Sequence, residues 1–307
     1  MRNFTFKGLL LTAVFMLLGC LSIQAANDDL ITKQITIKLD KAGTLPDRIA
    51  SSKKYKITNL KIVGEINGTD WNMIREMAGR NYQESSTEGN LSVLDLSEAK
   101  IVAGGDYYYY DNLFNNKVYT SNDEIGEYAF AYCSGLTSLT LPVGITSIGE
   151  FAFSGCSGLT SLNLPAGITS IDKYAFSGCS GLMSLNLPAG ITWIGESAFS
   201  YCSGLSSIYV YAEKVPRIGR YAFEGCASRK CTLYVPKGTY DDYRLSGFGY
   251  FENIVEFDAT GIDKTTTATD VEEVSRYSVN GQRLVGPTKG LNIVKYSDGS
   301  VKKVAVQ

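Results

Sequence analysis

The chain contains no histidine, little tryptophan and no excess of basic residues. Its 307 residues include 2 Trp and 7 Pro, and 29 Lys and Arg stand against 31 Asp and Glu, for a formal net charge of −2. Without histidine, neither Ser-His-Asp nor Cys-His catalysis is available, and no metal site can use imidazole. Without a basic face, the chain is a poor match for nucleic acid or for polybasic attachment to a membrane surface.

Other catalytic patterns are also missing from the sequence. No P-loop or dinucleotide fingerprint occurs, and the neighbouring acids Asp241-Asp242 and Glu272-Glu273 are more typical of solvated stretches than of a two-carboxylate pocket. The sequence therefore predicts no enzyme, no cofactor and no metal. With 44% hydrophobic and 20% charged residues, it predicts an ordinary folded protein.

The N-terminus is typical of a secretory signal. Arg2 and Lys7 precede an almost uninterrupted apolar run over residues 8–23. Two processing sites are compatible with it. Ile23-Gln24-Ala25 could end a type I signal peptide of residues 1–25, whereas Leu17-Leu18-Gly19-Cys20 resembles a lipobox that would make Cys20 a lipidated N-terminus. The small, apolar residues after Cys20 favour the type I signal peptide. We expect an exported protein, secreted or on the outer-membrane surface, touching the membrane only through a lipid anchor.

A 23-residue repeat is the strongest pattern in the chain. The regular units share an Ala-Phe pair, a Cys three residues later, a Leu three residues beyond the Cys, an alternating apolar pair and an Ile pair. The fourth unit has Val215 and Ile218 in place of the Ile pair, and the fifth keeps the Ala-Phe pair and the Cys but has Arg229 in place of the Leu. The Ala-Phe pairs fall at residues 129–130, 152–153, 175–176, 198–199 and 222–223. About eight apolar side chains per unit, each gaining about 1.5–2 kcal/mol on burial, do not offset the ordering of 23 residues. Single repeats are therefore unstable, and stacked repeats are stable.

The pattern within a unit predicts a coil with a strand on one side. Ser138-Leu139-Thr140-Leu141 alternates with a period of two, so Leu139 and Leu141 point inward and the polar residues point outward. Pro142 ends the strand. The segment at residues 149–153 is predicted to be a turn leading into a short helical segment on the opposite side. Stacked coils then form a parallel ribbon with strands about 4.8 Å apart.

The unit AFSGCSGLTSLNLPAGITSIDKY resembles the repeat of the BspA-like leucine-rich repeat family of bacterial surface proteins. The resemblance is strong over residues 91–257. It implies an α/β solenoid, a curved and right-handed coil with a parallel β ribbon. Where roles are assigned in that family, it also implies adhesion to host matrix proteins or to other bacteria. We expect a non-catalytic surface protein with a protein ligand, either host extracellular matrix or another bacterial surface protein. A glycan-binding surface protein and a structural envelope spacer are the alternatives.

The flanking segments predict the remaining domains. Residues 27–90 are predicted to be an N-terminal cap with degenerate repeats, including a helix that Thr69 caps, that runs through about Ala78 and that Gly79 ends. Residues 91–257 are predicted to be the repeat array with a terminal cap, whose aromatic residues cover the last coil. These are Tyr243, Phe248, Tyr250 and Phe251.

A Thr-rich linker (residues 258–270) and a small all-β module (residues 271–307) complete the chain. Asn280-Gly281 and Asp298-Gly299 are hairpin signals in this module. It resembles C-terminal secretion-sorting modules of the same bacteria, and a stabilising end module is the alternative.

The outward strand positions are the first candidate ligand-binding residues. They are small and polar along most of the array and become aromatic at one end. The candidates are Ser161, Asn163, Ser184, Asn186, Ser207, Tyr209 and Tyr211. A shallow groove with tyrosine contacts is one interpretation. A solvated ladder of stacked like residues is the other.

Two further features interrupt the repeat. Trp193 replaces Ser147 and Ser170 of the neighbouring units, so we expect it to face outward as a contact candidate or as an incidental exposed residue. Tyr107, Tyr108, Tyr109 and Tyr110 lie in an insertion, where they form either a ligand-contacting loop or packing against the N-terminal cap.

The cysteine column is predicted to be structural, with free and buried thiols. Neighbouring side chains would run parallel rather than toward each other, which does not suit disulfide geometry. Cys226 and Cys231 differ because a five-residue spacing could close a local disulfide in an oxidising compartment.

Overall fold

The computed structural model describes residues 30–258 and, after them, the strand residues 273–278, 283–284, 290–296 and 301–306. The chain divides into two compact units, with the boundary between residues 259 and 260. The predicted signal peptide with Cys20, nearly all of the predicted linker and the two hairpin-turn pairs lie outside the described residues. In the part of the chain that is described, no helix has the length and apolar character needed to cross a bilayer.

Short strands make up most of the first unit. The strands are β1 Ile35–Lys38, β2 Asn59–Ile66, β3 Val93–Ile101, β4 Gly104–Asp111, β5 Asn116–Thr120, β6 Glu124–Ile125, β7 Ser138–Thr140, β8 Ser147–Ile148, β9 Ser161–Asn163, β10 Ser170–Ile171, β11 Ser184–Leu187, β12 Trp193–Ile194, β13 Ser207–Val210, β14 Arg217–Ile218, β15 Thr232–Pro236 and β16 Asn253–Phe257. The helices are α1 Leu45–Arg48, α2 Ser51–Lys54, α3 Gly68–Met77 and α4 Tyr240–Arg244, and a 3-10 turn covers Gly247–Tyr250.

The main sheet has nine strands in the order β1-β2-β3-β7-β9-β11-β13-β15-β16, and every pairing in it is parallel. In the regular repeats the register aligns Leu139, Leu162, Leu185 and Ile208, all of which are buried. The predicted solenoid with a parallel ribbon is therefore confirmed. The sheet also continues without a break into β1 and β2 of the N-terminal region.

The opposite side of each coil differs from the sequence prediction. A second parallel ribbon, in the order β14-β12-β10-β8-β6, contains the second Ile of the Ile pair in each regular unit, and turns rather than a helical segment follow it. Phe151 has a φ of 54° and Gly155 a φ of 71°. Residues in this left-handed region interrupt the consecutive right-handed dihedrals that a helix needs, so the expected helical segment was wrong.

Two residue ladders fill the interior between the ribbons. Phe130, Phe153, Phe176, Phe199 and Phe223 stack from coil to coil with centroids 5.0–5.5 Å apart. The thiols of Cys156, Cys179, Cys202 and Cys226 each donate to the carbonyl of a Phe in the preceding coil, at 3.0–3.1 Å. Cysteine fits this position because it is small, apolar and a weak donor.

Helix α3 begins at Gly68, and its N-cap, Asn67, lies two residues before the predicted cap, Thr69. Asn67 Oδ1 accepts from the Thr69 N–H at 3.1 Å, and Asp70 Oδ2 accepts from the Asn67 N–H at 3.0 Å, which makes a capping box. Asp70 also accepts from the N–H groups of Gly43 and Leu45, so one buried carboxylate joins α3 to the segment before α1. The predicted cap at Thr69 was wrong because the side chain of Asn67 supplies the acceptor instead.

The C-terminal end of the array is closed by aromatic residues. Tyr243, Phe248 and Phe251 are buried, and the rings of Phe248 and Phe251 pack against Phe223, the last member of the Phe ladder. Tyr250 differs from the prediction. Its side chain is 40% exposed, and its hydroxyl donates to the Cys226 carbonyl at 2.9 Å.

The second unit contains four described strands, β17 Glu273–Ser278, β18 Arg283–Leu284, β19 Gly290–Tyr296 and β20 Val301–Val306. They form an antiparallel sheet in the order β18-β17-β19-β20. In the described residues of this segment, the predicted all-β character is confirmed.

Candidate functional site

The outer face of the main sheet, which we call the strand face, carries two parallel columns of side chains. One column aligns Ser138, Ser161, Ser184, Ser207 and Thr232. The other aligns Asp95, Thr140, Asn163, Asn186, Tyr209 and Tyr234. Both columns begin polar, and the second becomes aromatic toward the C-terminal end of the array.

The polar part of the strand face brings the predicted candidates together on neighbouring strands. Ser161 and Asn163 are exposed, whereas Ser184, Asn186 and Ser207 are half-buried. The Ser207 hydroxyl donates to Ser184 Oγ at 3.1 Å. These side chains place hydrogen-bonding groups next to one another on neighbouring strands.

Charged side chains border the strand face at its N-terminal end. Lys61 Nζ lies 3.2 Å from Asp95 Oδ2 and 2.7 Å from Glu98 Oε1. Hydrogen bonds to Glu98 and Asp95 raise the pKa of Lys61. Burial acts to raise the pKa of Asp95, but hydrogen bonds from Ser97 and Lys61 outweigh it and the pKa is lowered. Lys61 and Asp95 therefore stay ionised at neutral pH.

At the C-terminal end, four rings meet in what we call the aromatic cluster: Tyr209, Tyr211, Tyr234 and Phe257. Tyr209 and Tyr234 stack with centroids 4.3 Å apart, and Phe257 meets Tyr209 at 5.9 Å and Tyr211 at 5.3 Å, edge to face. Tyr211 is 37% exposed. Burial, with a contribution from Tyr234, raises the pKa of Tyr209, so the hydroxyl remains protonated.

Sequence reasoning found two members of the aromatic cluster and missed the other two. Tyr234 stands 25 residues after Tyr209, at the same position of the next coil, and could have been found by allowing a longer final repeat. Phe257 belongs to β16, which lies beyond the regular repeats. No period in the sequence indicates that it would pack on the tyrosines.

Trp193 lies in the second ribbon, a different sheet from the strand face. It pairs with Ser170 and Arg217, and the Arg217 guanidinium carbon lies 5.9 Å from its ring centroid. The indole is half-buried rather than fully outward-facing. The structure therefore does not bring Trp193 together with the other predicted contact residues.

The four consecutive tyrosines form part of a hairpin, β4 and β5, and not a loop. Tyr108 is buried and its hydroxyl donates to the Glu127 carbonyl at 2.8 Å. Tyr109 is also buried and stacks on Tyr128 at 4.0 Å. Burial raises the pKa of both hydroxyls. The prediction that Tyr108 and Tyr109 contact a ligand was wrong, because the hairpin packs both side chains against α3 and the first regular coil. Tyr107 and Tyr110 remain half-buried.

The predicted disulfide between Cys226 and Cys231 was also wrong. Both thiols are free and buried. The Cys226 thiol donates to the Phe199 carbonyl at 3.1 Å, which makes it the last member of the cysteine ladder instead of a partner for Cys231. Burial raises the pKa of Cys226 to about 12 and that of Cys231 to about 11, so neither is a reactive thiolate at neutral pH.

A polar cleft of about 650 Å³ lies in the N-terminal region between α1, α2 and α3. Its ionisable residues include Lys54 and Glu76, which form an ion pair, together with Asp47, Arg48 and Asp106. The Asp106 carboxylate accepts a hydrogen bond from the Thr69 hydroxyl at 3.0 Å. Among the described residues, no cluster of three or more Cys, Asp or Glu side chains has the arrangement of a metal site.

The stacked coils and the parallel ribbon define a leucine-rich repeat protein. Residues 104–233 match six copies of the BspA type leucine rich repeat region, which confirms the resemblance of the repeats to that family. The family comprises bacterial surface proteins, and leucine-rich repeats generally mediate protein interactions. A comparison with curated proteins gave no significant match.

Several solved structures resemble the chain. They include a leucine rich repeat protein of T. pallidum, with 27% identity, a TM-score of 0.37 and coverage of 44% of this chain and 64% of that one. A leucine-rich repeat protein from Bacteroides ovatus has 21% identity, a TM-score of 0.35 and coverage of 74% and 42%. A leucine rich cell surface protein from Faecalibacterium prausnitzii has 22% identity, a TM-score of 0.36 and coverage of 73% and 69%. The chain thus spans less than two thirds of the first two proteins.

Proposed function

We propose that the chain is a non-catalytic, adhesin-like surface protein that binds a protein ligand on its strand face. The aromatic cluster provides the central contact, and the serine and asparagine columns provide the hydrogen bonds around it. The observation that carries this proposal is the change along one face from charged to small polar to aromatic side chains. Interfaces commonly combine a few aromatic contact residues with a polar surround.

The geometry of the aromatic cluster supports a contact role beyond simple packing. Tyr209 and Tyr234 lie on the outer side of the main sheet, while the inner side is already filled by the leucine column. Tyrosine offers a large contact area with few rotatable bonds, so little conformational entropy is lost when a partner covers it. The stacked pair and Phe257 hold one another in place, which reduces that loss further.

The test is biolayer interferometry of the chain without its predicted signal peptide against fibronectin, fibrinogen and collagen. The Tyr209→Ala/Tyr211→Ala variant should lose saturable binding to the ligand that wild type binds. The control is Tyr201→Ala, which removes a ring that is 61% exposed on the turns outside the main sheet. Equal loss in both variants, or no loss in either, would reject the strand face as the site.

A glycan is the second candidate ligand. It is favoured by the part-exposed Tyr211 ring next to Phe257, because sugars stack on the faces of aromatic rings. A mixed glycan panel in the same assay separates the two ligand classes. Binding to glycans and to none of the proteins would replace the protein ligand in this proposal.

Export and surface location are part of the same proposal. They are supported by the apolar leader at residues 8–23 and by the family of the repeats. Whether Cys20 carries a lipid is tested by mass spectrometry of the processed N-terminus. Whether the C-terminal module sorts the protein for secretion is tested by comparing surface display with and without residues 271–307.

A further inference from the structure

The regular part of the array carries very few charged residues. Between Ala131 and Ala212 there are four charged residues in 82, whereas charged residues make up 20% of the whole chain. The four are Glu150, Asp172, Lys173 and Glu196. Each of them lies one or two residues after a strand of the second ribbon, and none belongs to the main sheet. The charges of these coils are therefore confined to one side of the array.

The outward side chains of β7, β9, β11 and β13, from Ser138 to Tyr209, form what we call the neutral section of the strand face. They are serine, threonine, asparagine and tyrosine side chains, and none of them is charged at neutral pH. Charged side chains border the section at both ends, with Lys61 and Asp95 on the strands before it and Glu213 after it. The uncharged surface thus spans four neighbouring strands, about 14 Å from the first to the last.

Coil stacking does not by itself exclude charge from a column of equivalent residues. One such column consists of Glu127, Glu150, Lys173, Glu196 and Arg220. The N–H group of the residue after each of the first four donates to the carbonyl of the next member at 2.9–3.0 Å. Like charges on neighbouring strands repel, but from Glu150 onward this column alternates in sign. A charged column is thus compatible with the array, and the uncharged strand face needs another explanation.

We propose that the neutral section selects an uncharged surface of the protein ligand, where Asn163 and Asn186 contact exposed amide groups. This inference rests on the proposed function and adds the chemistry of the partner. A charged group placed on the neutral section would lose water without meeting a counter-charge, and that desolvation is costly. An uncharged surface avoids this cost, so the neutral section discriminates against charged partner surfaces.

Asn163 and Asn186 pair with each other in the register of β9 and β11, and Tyr209 follows on the next strand. In the described part of the chain, neither asparagine side chain has a hydrogen bond to another residue, whereas Ser184 and Ser207 bind each other. Each side-chain amide offers a carbonyl acceptor and an NH2 donor. A peptide or side-chain amide of the partner can satisfy both groups, whereas a carboxylate uses only the donor and an ammonium only the acceptor.

The first test is the salt dependence of binding, measured by biolayer interferometry against fibronectin, fibrinogen and collagen with the chain without its predicted signal peptide. Raising NaCl from about 0.1 M to about 1 M shortens the screening length from about 10 Å to about 3 Å. With an uncharged partner surface, Kd and the association rate should change by less than about threefold, because no charge pair is screened. A partner held by its charges should lose at least about tenfold in affinity.

The second test changes the charge of Asn163, which is exposed and can be replaced without disturbing the interior. Asn163→Asp adds a negative charge with nearly the same shape, and Asn163→Lys adds a positive charge. Both should weaken binding at least about tenfold, since each places an unpaired charge under the partner. Asn163→Gln keeps the amide and should lose clearly less than either. The controls Ser180→Asp and Ser180→Lys change an exposed turn residue outside both ribbons and should bind like wild type.

Three results would overturn the uncharged partner and leave the proposed function intact. The first is an affinity that falls about tenfold or more at high salt. The second is an opposite effect of Asn163→Asp and Asn163→Lys, which would show a charged partner surface. The third is wild-type binding in all the Asn163 variants, which would remove this asparagine from the contact. If wild type shows no saturable binding to any of the three proteins, the proposed function is rejected and this inference with it.

Discussion

Gly155→Ala should destabilise the array more than Gly178→Ala, although the two glycines occupy the same position of neighbouring repeats. Their backbones are nearly identical, with φ of 71° and 73°. Placing a Cβ in this left-handed region costs about 1–2 kcal/mol at either site. The surroundings differ. A Cβ on Gly155 would lie 2.6 Å from Cδ1 of Tyr132, whereas a Cβ on Gly178 would meet no atom closer than 3.7 Å.

The extra cost at Gly155 comes from moving the Tyr132 ring. That ring is 44% exposed and can turn toward solvent, so the clash is relieved by losing contacts instead of by distorting the coil. The Tyr132 ring would lose its contacts with Gly155 and with the Arg80 guanidinium, whose carbon lies 5.9 Å from the ring centroid. Together they are worth about 1 kcal/mol. We therefore expect a loss of about 2–3 kcal/mol for Gly155→Ala and about 1–2 kcal/mol for Gly178→Ala.

Urea unfolding followed by circular dichroism and by intrinsic fluorescence gives the two free energies of unfolding. Tyr132→Gly completes a double-mutant cycle with Gly155→Ala. The coupling should be about 1 kcal/mol, so that in the Tyr132→Gly background Gly155→Ala costs no more than Gly178→Ala. Equal losses for the two single variants, with no coupling to Tyr132, would refute the steric argument.

Two further predictions concern the interior ladders. Phe176→Ala should lower the free energy of unfolding by about 3–5 kcal/mol, because the fully buried ring stacks on Phe153 at 5.0 Å and on Phe199 at 5.1 Å. Phe176→Leu should cost clearly less in the same urea assay, and an equal cost would show that the stacking matters little. Stability should also fall as the pH rises above about 9. Burial raises the pKa of Cys133 from 9.0 to about 11, so between these values the folded state keeps a proton that the unfolded state releases. The loss from this group is complete above about pH 11 and amounts to about 3 kcal/mol. Urea midpoints measured at several pH values should decline less steeply in Cys133→Ala, and an unchanged slope would contradict this origin.

The sequence by itself determined the repeat and the inward face of every coil. Residues that recur every 23 positions occupy equivalent places in successive coils, so Phe176 must stack on Phe153 and Leu185 must follow Leu162 in the sheet. Alternation of polar and apolar residues likewise separated the inner leucines from the outer serines and asparagines. Both conclusions need only the period of the pattern and the geometry of a strand.

Predictions from local sequence patterns were less reliable where tertiary contacts decide the conformation or burial of a residue. The turns after the second ribbon replaced the expected helical segment because left-handed residues such as Phe151 interrupt it. Tyr108 was buried because α3 supplies a surface for its ring and Glu127 supplies an acceptor for its hydroxyl. A run of four tyrosines does not show which of them meets such a surface.

Only the tertiary structure decided how the surfaces are assembled. Phe257 joins Tyr209 and Tyr211 because β16, from beyond the regular repeats, pairs with β15 at the end of the sheet. Trp193 is separated from them because its segment forms a second ribbon. The exposure of Leu113 and Phe114 depends on where β4 and β5 pair and on which residues this leaves at the turn. The period of the sequence fixes contacts between equivalent positions, whereas contacts between non-equivalent segments depend on the path of the chain in space.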